Sequence, residues 1–251
     1  IRNLPFEDNT GCLPVLLHVQ KWYKNWSMRD EKILEYALKN SAEELIIGTD
    51  LQGQIIELRR GLFLVILTNG NEAEMDIVAL TQNCDAYIKA CNEYLYCDMS
   101  CYIGRLVYAH QLINVVEELK QSVKNNVAYH NKVFHIDEIT KQKNTGQIPD
   151  MTIWEAMLKQ GAQDELIAEI EQFFTKKIES NEVDRSLLVQ FHQSFLQMVY
   201  SVLRAKGIQA HQLFCDAETI ELSDQALHHV SQLKRWVRHI IKRTLDHAKA
   251  V

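Results

Sequence analysis

Residues 51–67, Leu-Gln-Gly-Gln-Ile-Ile-Glu-Leu-Arg-Arg-Gly-Leu-Phe-Leu-Val-Ile-Leu, decide the fold of the first half of the chain. Two short apolar segments flank a tight corner at Arg59-Arg60-Gly61, and this pattern predicts a β-hairpin. Helical patterns lie on both sides of it, at residues 29–46 and 72–95, and Thr68-Asn69-Gly70-Asn71 forms the turn that leaves it. The expected order up to residue 95 is therefore helix, hairpin, helix.

Two further strands extend this order. Residues 12–20 form an apolar run of strand length. Pro14 has no amide hydrogen, which confines the first part of that run to a sheet edge or a strand start. Residues 99–107 form another strand, with Gly104 inside it. A glycine weakens a strand unless something packs closely over its backbone, so we expect Gly104 to contact a helix or a strand edge.

The sheet is completed after residue 110. Residues 112–127 carry an apolar stripe at helical spacing and predict a third helix. Residues 132–137 could close the sheet as its last strand. Strands that alternate with helices around one hairpin predict an α+β fold, with a mixed sheet of about five strands covered by helices.

The pattern changes after residue 140, which marks a domain boundary. Residues 141–150 are polar and contain a glycine and a proline, as linkers do. Beyond them the apolar residues recur at helical spacing. The predicted helices span residues 151–160, 163–180, 184–206 and 223–249. The sequence thus predicts a sheet domain at residues 1–140 and an all-helical domain at residues 150–251.

Composition limits the classes of function. The 251 residues are 47% hydrophobic, enough for packed cores, so a disordered chain is excluded. The formal charge of −6 disfavours a free-standing nucleic-acid binder, because phosphate binding needs clustered positive charge. No apolar run reaches the roughly 18 residues of a membrane-spanning helix. A chain with cores of this size does not need disulfides, so a reducing cytoplasm is expected. Residues 1–10 lack the apolar centre of a signal peptide, and the absence of an initial Met suggests a piece of a longer protein.

The cysteines raise a zinc hypothesis. The chain has six: Cys12, Cys84, Cys91, Cys97, Cys101 and Cys215. Structural zinc sites usually show close cysteine pairs that feed one tetrahedron. Here Cys84 and Cys91 are 7 residues apart on a helix face, and Cys97 and Cys101 are 4 apart on one side of a strand. We expect buried free thiols, and zinc bound in the 84–101 region is the alternative.

No motif for catalysis is present. The histidines of the helical half are His192, His211, His228, His229 and His239. None has the spacing of a zinc-binding helix, so surface or partly buried positions are expected. Glu43 and Glu44 point in different directions on their helix, which favours a solvated face over an acid–base pair. Glycine-rich phosphate loops and nucleophile elbows are absent. The sequence therefore assigns no catalytic, cofactor-binding or metal-ligating residue.

Residues 234–243, Lys-Arg-Trp-Val-Arg-His-Ile-Ile-Lys-Arg, form the one basic amphipathic stretch. It lies in the predicted helix 223–249, which is opened by Ser223 and Asp224. The interpretations are a membrane surface, a nucleic-acid contact, a partner helix or an ordinary basic outer face. Such a helix, with an apolar seam, often couples one domain to the next through a dimeric coiled coil. We therefore expect a homodimer through helices that include residues 223–249, and no membrane contact.

The order of elements around the hairpin resembles the sheet of GGDEF-type nucleotide cyclases. In active enzymes of that type the hairpin tip carries two glycines and acidic residues, which admit a nucleotide and hold Mg²⁺. Here the tip offers Glu57, Leu58, two arginines and one glycine. The resemblance therefore implies an inherited sheet that serves as a scaffold or sensor, and not an enzyme.

A more specific resemblance rests on several segments. They are Val15-Leu-Leu-His-Val19 before a tryptophan-bearing turn, Leu34-Glu-Tyr-Ala-Leu-Lys-Asn-Ser-Ala-Glu-Glu-Leu45, Gly61-Leu-Phe-Leu-Val-Ile-Leu67, Ser100-Cys-Tyr-Ile-Gly104, and the helix reaching Asn126. Together they resemble the central region of YesN-type AraC-family transcription regulators, found in two-component systems of Gram-positive bacteria. In that family the region is a degenerate GGDEF-like domain, then a helical segment and a helix-turn-helix pair. The resemblance covers about residues 12–136 well and the helical half more loosely.

The resemblance implies a non-catalytic, cytoplasmic module without a cofactor that relays a signal to a DNA-binding output. The receiver pattern and the recognition helix of the family are absent, so DNA binding is expected in a C-terminal part outside this chain. The alternative is a small-molecule sensor with a pocket in the helical half, lined by Phe173, Phe174, Phe191 and Phe195. An aromatic stripe at helical spacing is more often core than pocket.

Overall fold

The computed structural model describes residues 11–49, 51–68, 75–141 and 147–249. The chain divides into two compact units. Unit 1 is Ile1–Lys124 together with Tyr129–Lys143, and unit 2 is Asn125–Ala128 together with Asn144–Val251. Residues 1–10, the predicted turn at 69–71 and the predicted helix start at 72–74 lie outside the described residues.

Unit 1 holds the strands of the fold. They are β1 (Gly11–Trp22), β2 (Gln52–Arg59), β3 (Leu62–Thr68), β4 (Cys97–Ile103), β5 (Val107–Tyr108) and β6 (Val133–His135). Its helices are α1 (Met28–Ala42), continued by a π-helical turn (Glu43–Ile47), α2 (Ile77–Tyr94), α3 (Leu112–Asn125), preceded by a 3₁₀ turn (Ala109–Gln111), and α4 (Ile136–Lys141). The predicted hairpin, both helices beside it and the closing strand are confirmed.

The sheet is mixed and has the strand order β2-β3-β1-β4-β6, with the short β5 paired to the start of β1. All neighbours are antiparallel except β4 and β6, which are parallel. The segment β1-α1-β2-β3-α2-β4, with β1 and β3 side by side, is the split β-α-β arrangement. The predicted α+β class, a mixed sheet with helices followed by a helical part, is confirmed.

Alternation along β1 divides the core of unit 1 between two faces of the sheet. Leu13, Val15 and Leu17 pack in one cluster with apolar residues of α1 and α2. Leu16 belongs to a second cluster with the stripe of α3, which begins at Leu112. Because both faces are covered, β3 is buried along its whole length. This explains why its sequence is a continuous apolar run rather than an alternating one.

Pro14 lies inside a central strand, which corrects the expected sheet edge or strand start. On one side of β1 it stands opposite Ile66 of β3. On the other side the partner strand changes at this point, from β5 beside Cys12 to β4 beside Val15. Its carbonyl oxygen accepts a hydrogen bond from Gly104 N at 2.9 Å on that side. The missing amide hydrogen of Pro14 therefore lies where β1 changes partner from β5 to β4, so no hydrogen bond between paired strands is lost.

Gly104 ends β4 instead of lying inside a longer strand. The predicted strand 99–107 is two strands, because the chain leaves the sheet after Ile103 and returns only at β5. A Cβ on residue 104 would lie 2.8 Å from the carbonyl oxygen of Pro14 and 3.1 Å from Val115 Cγ1. The expected close contact over this glycine is thus confirmed, with a strand on one side and α3 on the other.

Unit 2 is helical. Its helices are α5 (Met151–Gln160), α6 (Gln163–Glu179), α7 (Arg185–Ala205), α8 (Ala210–Leu213), α9 (Ala217–Ala226) and α10 (Val230–Lys249). The predicted helices 151–160, 163–180 and 184–206 are confirmed to within a residue at each end. Asp150 and Asp184 cap two of them by accepting hydrogen bonds from backbone amides in the first turn.

The predicted helix 223–249 is wrong, because the segment contains two helices. Ser223 and Asp224 lie within α9, which begins after Asp216. The Asp216 carboxylate accepts a hydrogen bond from Thr219 N at 3.0 Å and caps the helix there. Residues 227–229 separate α9 from α10, and His229 Nδ1 accepts a hydrogen bond from Ser231 N at 3.1 Å. A cap at each start thus defines two helices where the apolar stripe suggested one.

The boundary between the units also differs from the predicted domains 1–140 and 150–251. The third helix ends at Asn125, two residues earlier than expected. Residues 125–128 belong to unit 2, where Val127 is buried in the core and its carbonyl oxygen accepts a hydrogen bond from Val230 N at 2.9 Å. The chain therefore enters unit 2, returns to unit 1 at Tyr129 and leaves it again after residue 143.

Candidate functional site

The tip of the β2–β3 hairpin is the candidate site, since the sequence resemblance places any chemistry of the sheet there. Arg60 and Gly61 form the turn. Gly61 has a φ of +69°, a conformation that favours glycine. Its carbonyl oxygen accepts a hydrogen bond from Val19 N at 2.8 Å. A Cβ on residue 61 would lie 3.3 Å from the Cβ of Val19, so the turn folds closely against β1.

Two carboxylates of α1 contact the same turn. Glu35 Oε1 accepts a hydrogen bond from Gly61 N at 3.2 Å. Glu31, one helical turn earlier, forms an ion pair with Arg60. Glu31 is the less exposed partner of that pair, so its charge is shielded by both the protein and the guanidinium. The turn is therefore held by α1 as well as by the sheet.

A third residue of α1 contacts the hairpin further along. Lys39 Nζ lies 2.9 Å from Glu57 Oε2 of β2 and 5.5 Å from the ring centroid of Phe63. Glu31, Glu35 and Lys39 follow one another at four-residue spacing, which places them in one row along the helix. We call this row, Glu31, Glu35 and Lys39, the α1 latch.

The latch occupies the groups with which the tip could bind a polyphosphate. The amide of Gly61 donates to Glu35, and the guanidinium of Arg60 is paired with Glu31. Carboxylates at the turn repel phosphate oxygens. Glu57, the acidic residue of β2, is paired with Lys39 instead of being presented to a metal ion. The geometry suits mechanical coupling between α1 and the hairpin better than it suits nucleotide chemistry.

His18 is a half-buried residue on the central strand of the sheet. It stands between Leu62 of β3 and Ser100 of β4. Burial, and then the nearby Arg59 guanidinium, lower the pKa of His18 to about 4. Its Nδ1 is buried and has no hydrogen-bond partner among the described residues. The signal in the sequence is the alternation along β1, which puts His18 on the same face as Leu16.

The cysteine cluster lies in the core between α2 and the sheet. Cys84, Cys91, Cys97 and Cys101 are buried free thiols, the interpretation that the sequence favours. Burial is the main cause that raises the pKa of the Cys91 and Cys101 thiols well above the usual value. Zinc binds thiolates, and a raised pKa keeps these sulfurs protonated. Their surroundings therefore favour packing over metal binding.

A group of potential metal ligands that the sequence analysis missed lies in unit 2. Donor atoms of Asp216, Glu218 and His239 lie within 4.8 Å of one another. Asp216 accepts hydrogen bonds from the amide and hydroxyl of Thr219, which lower its pKa, and it contacts Arg243 at 3.1 Å. His239 Nε2 lies 2.8 Å from the Thr219 hydroxyl. Asp216 is already bonded to Thr219 and paired with Arg243, so we interpret the group as a helix-capping network. The members come from two helices, and no local spacing reveals them.

Most cations of the basic stretch 234–243 are paired within unit 2. Lys234 and Arg238 contact the Glu171 carboxylate at 2.5 and 2.7 Å, and Arg243 contacts Asp216. The apolar seam of α10 is buried against α6, α7 and α9. The seam consists of Val230, Leu233, Val237, Ile240, Ile241 and Leu245. The expected coiled coil through helix 223–249 is corrected accordingly, because its seam is already covered by the same chain.

The aromatic residues of the alternative pocket pack on one another. The rings of Phe174 and Phe191 have centroids 4.8 Å apart, those of Phe173 and Phe191 5.9 Å, and those of Phe191 and Phe195 5.9 Å. Trp154 adds an edge contact to Phe191 at 5.9 Å. A ligand at this place would have to displace these rings, so the packing favours an aromatic core.

The remaining candidates lie at the surface or in the core. Glu43 and Glu44 are exposed on the π-helical turn, as expected. His192 stacks on Trp236, with ring centroids 4.2 Å apart, and burial lowers its pKa. His228 is exposed, and the side chain of His211 lies outside the described residues. Among the described side chains, none of the histidines named from the sequence lies beside another.

Comparison with known proteins finds no relative. No protein-family model, no curated protein and no solved structure matches the chain. The resemblance to YesN-type regulators is therefore an expectation that rests on the quoted segments alone. None of the described helices combines the length with the apolar character that crossing a bilayer requires.

Proposed function

We propose that this chain is a non-catalytic regulatory module that relays a signal, in the cytoplasm, within a regulator of the YesN-type AraC family. The observation that carries the proposal is the α1 latch. Its carboxylates occupy the amide and the cation of the hairpin tip, where a related enzyme would bind its nucleotide. In this proposal the sheet transmits movement and performs no reaction.

The relay runs through packing. A displacement of α1 moves Glu31 and Glu35, and with them the tip at Gly61. The tip is bonded in turn to Val19 of the central strand β1. DNA binding is assigned to no residue of this chain, whose net charge is −6 and in whose basic helix α10 Lys234, Arg238 and Arg243 are paired with Glu171 and Asp216. The transcriptional output belongs to another part of the regulator.

Self-association is part of the proposal, since a relay to DNA commonly acts on paired, two-fold symmetric half-sites. The seam of α10 cannot supply the contact, because Leu233 and Val237 are buried within unit 2. The homodimer expected from the sequence therefore needs another surface.

The absence of catalysis is tested by incubating the protein with GTP and Mg²⁺. Product chromatography is expected to show unchanged nucleotide at all times. Formation of a cyclic mononucleotide or dinucleotide, lost on removal of Mg²⁺, would overturn the proposal. A Glu57→Ala variant is the control, because loss of product in that variant would tie the reaction to the hairpin.

The latch is tested by hydrogen exchange of the Gly61 amide. A hydrogen bond to a charged acceptor contributes roughly 1.5–3 kcal/mol, so Glu35→Ala should speed exchange at Gly61 by at least about tenfold. Glu43→Ala is the matched control, since Glu43 is an exposed carboxylate just beyond α1. Equal exchange in the two variants would show that the latch is not formed in solution.

A further inference from the structure

The outer face of α1 is exposed and apolar. Three large side chains lie along it, with exposed fractions of 75% for Met28, 58% for Ile33 and 68% for Tyr36. With Arg29 and Lys32 they line an open groove of about 650 Å³. By helical position Arg29, Ile33 and Tyr36 lie on the side of the helix turned away from the α1 latch, whereas Met28 and Lys32 border the latch. We call the stripe the outer face of α1.

We infer that the outer face of α1 binds the same face of a second copy of the chain, in antiparallel orientation. The inference rests on the dimeric relay proposed above. Large exposed apolar side chains grouped on one stripe mark an interaction surface. A two-fold interface must be self-complementary, and the order of residues on this stripe meets that condition.

The complementarity follows from the spacing of Arg29 and Tyr36. Seven residues, or about 10 Å, separate them on one side of the helix. A two-fold axis midway between them, near residues 32 and 33, places each guanidinium against the tyrosine ring of the partner. Guanidinium groups stack favourably on aromatic rings. In a parallel pair, by contrast, Arg29 would meet Arg29 instead of the tyrosine ring, so this contact favours the antiparallel arrangement.

The axis also places the two Ile33 side chains side by side at the centre of the contact. Lys32 lies on the other side of the axis, at the rim, where its ammonium group stays in water. The described residues place no carboxylate within ion-pair distance of Arg29 or Lys32, so neither has to leave an existing ion pair. The two copies thus meet with an apolar centre and a charged rim.

The area sets the strength of the contact. Three exposed side chains of this size offer on the order of 400 Å² per copy, about half of the ~800 Å² that each partner contributes to a stable interface. The dimer is therefore concentration-dependent and reversible. This suits a relay in which another part of the regulator raises the local concentration of the module.

The experiment is sizing of the purified chain by light scattering and sedimentation over a wide range of concentration. Wild type is expected to shift from monomer to dimer, and Ile33→Glu to stay monomeric. Ile153→Glu is the matched control, because Ile153 lies on α5 and is 61% exposed. This variant should dimerise like wild type. Tyr36→Ala should weaken association about tenfold through loss of two cation–aromatic contacts. Circular dichroism checks that every variant is folded.

Each outcome decides a different point. Dimerisation that survives Ile33→Glu would overturn this inference and leave the dimeric relay in place. A wild type that is monomeric at every concentration would overturn both the inference and the dimeric part of the proposed function. The incubation with GTP is independent of either result, so the non-catalytic proposal stands or falls separately. Loss of dimer in Ile33→Glu alone supports the outer face of α1.

Discussion

At the scale of single residues, His18 is the most informative side chain of unit 1. Its imidazole is half-buried on the central strand, and protonation would add a charge beside the Arg59 guanidinium, with the buried Nδ1 lacking a hydrogen-bond partner among the described residues. The unfolded chain has an ordinary histidine there. Below the ordinary histidine pKa, His18 therefore binds a proton in the unfolded state but not in the folded state, and folding becomes less favourable.

The first prediction concerns this linkage. Stability should be independent of His18 above about pH 6.5, fall as the pH drops from 6.5, and level off below the folded-state pKa of about 4. The loss at pH 4.5 should be roughly 2–3 kcal/mol. The His18→Gln variant should lose most of this pH dependence of stability. The control His110→Gln, at an exposed position, should keep it. Urea unfolding at pH 7 and 4.5 measures the difference, and an undiminished acid loss in His18→Gln would contradict the account.

Gly104 gives the second prediction at this scale. A Cβ there would lie 2.8 Å from a backbone oxygen that is fixed in the central strand. Gly104→Ala should therefore destabilise unit 1 by about 1–3 kcal/mol, as overpacking does. Gly11→Ala is the control, because its nearest neighbour would be a Leu106 methyl carbon at an ordinary 3.6 Å. Thermal unfolding distinguishes the two, and equal melting temperatures would show that Pro14 and Gly104 are not in close contact.

At the scale of elements, helix α1 has one side that contacts the hairpin and another that is exposed. One side carries the latch, Glu31, Glu35 and Lys39, and the other carries the exposed stripe that includes Ile33 and Tyr36. Few of its residues are fully buried; Leu38 is one of them. A helix held by polar contacts and little core is easier to displace than one held by packing alone. This is the property that a relay element needs.

The third prediction concerns the start of α9. Asp216 caps this helix and contacts Arg243 of α10, so Asp216→Ala should lower the stability of unit 2 by about 1–2 kcal/mol. Asp224→Ala is the control, because Asp224 is exposed within the helix and caps nothing. The sequence alone predicts the opposite ranking, with Asp224 at a helix start. Urea unfolding of both variants tests which residue begins the helix.

The same elements show what the sequence could predict. The hairpin at 51–67 was recognisable because turn chemistry and apolar runs are local properties. Pro14 was misplaced because its tolerance depends on which strand ends beside it, and that is a non-local property. The break at residues 227–229 is hidden because an apolar stripe continues across it, while His229, whose side chain caps the start of α10, looks like an ordinary polar residue.

At the scale of the whole molecule, the chain comprises two units that interleave in sequence. The predicted linker region contains the last of their three boundaries, whereas the predicted domains place residues 125–128 on the wrong side. Val127 continues the apolar stripe of α3, and its burial in the core of unit 2 and its hydrogen bond to Val230 reveal that it belongs there. When the residues after a helix continue its apolar spacing, the spacing alone does not show where the helix ends.

The candidate site was predictable only in part. The sequence shows that the hairpin tip lacks paired glycines and acidic metal ligands. It does not show what replaces them, because Glu35 and Gly61 are 26 residues apart and meet only in the folded sheet. The network of Asp216, Thr219 and His239 is of the same kind. In both cases the sequence shows the chemical type of each residue, but it does not show which residue that side chain contacts.

The central claim, that α1 closes the hairpin tip against nucleotides, is tested most directly at the Gly61 amide. Amide spectra of ¹⁵N-labelled protein are recorded while GTP and Mg²⁺ are added together. The account predicts that the Gly61 and Val19 resonances keep their positions throughout the titration, because both groups remain bonded within the protein. A saturable shift of Gly61 that requires Mg²⁺ would contradict it.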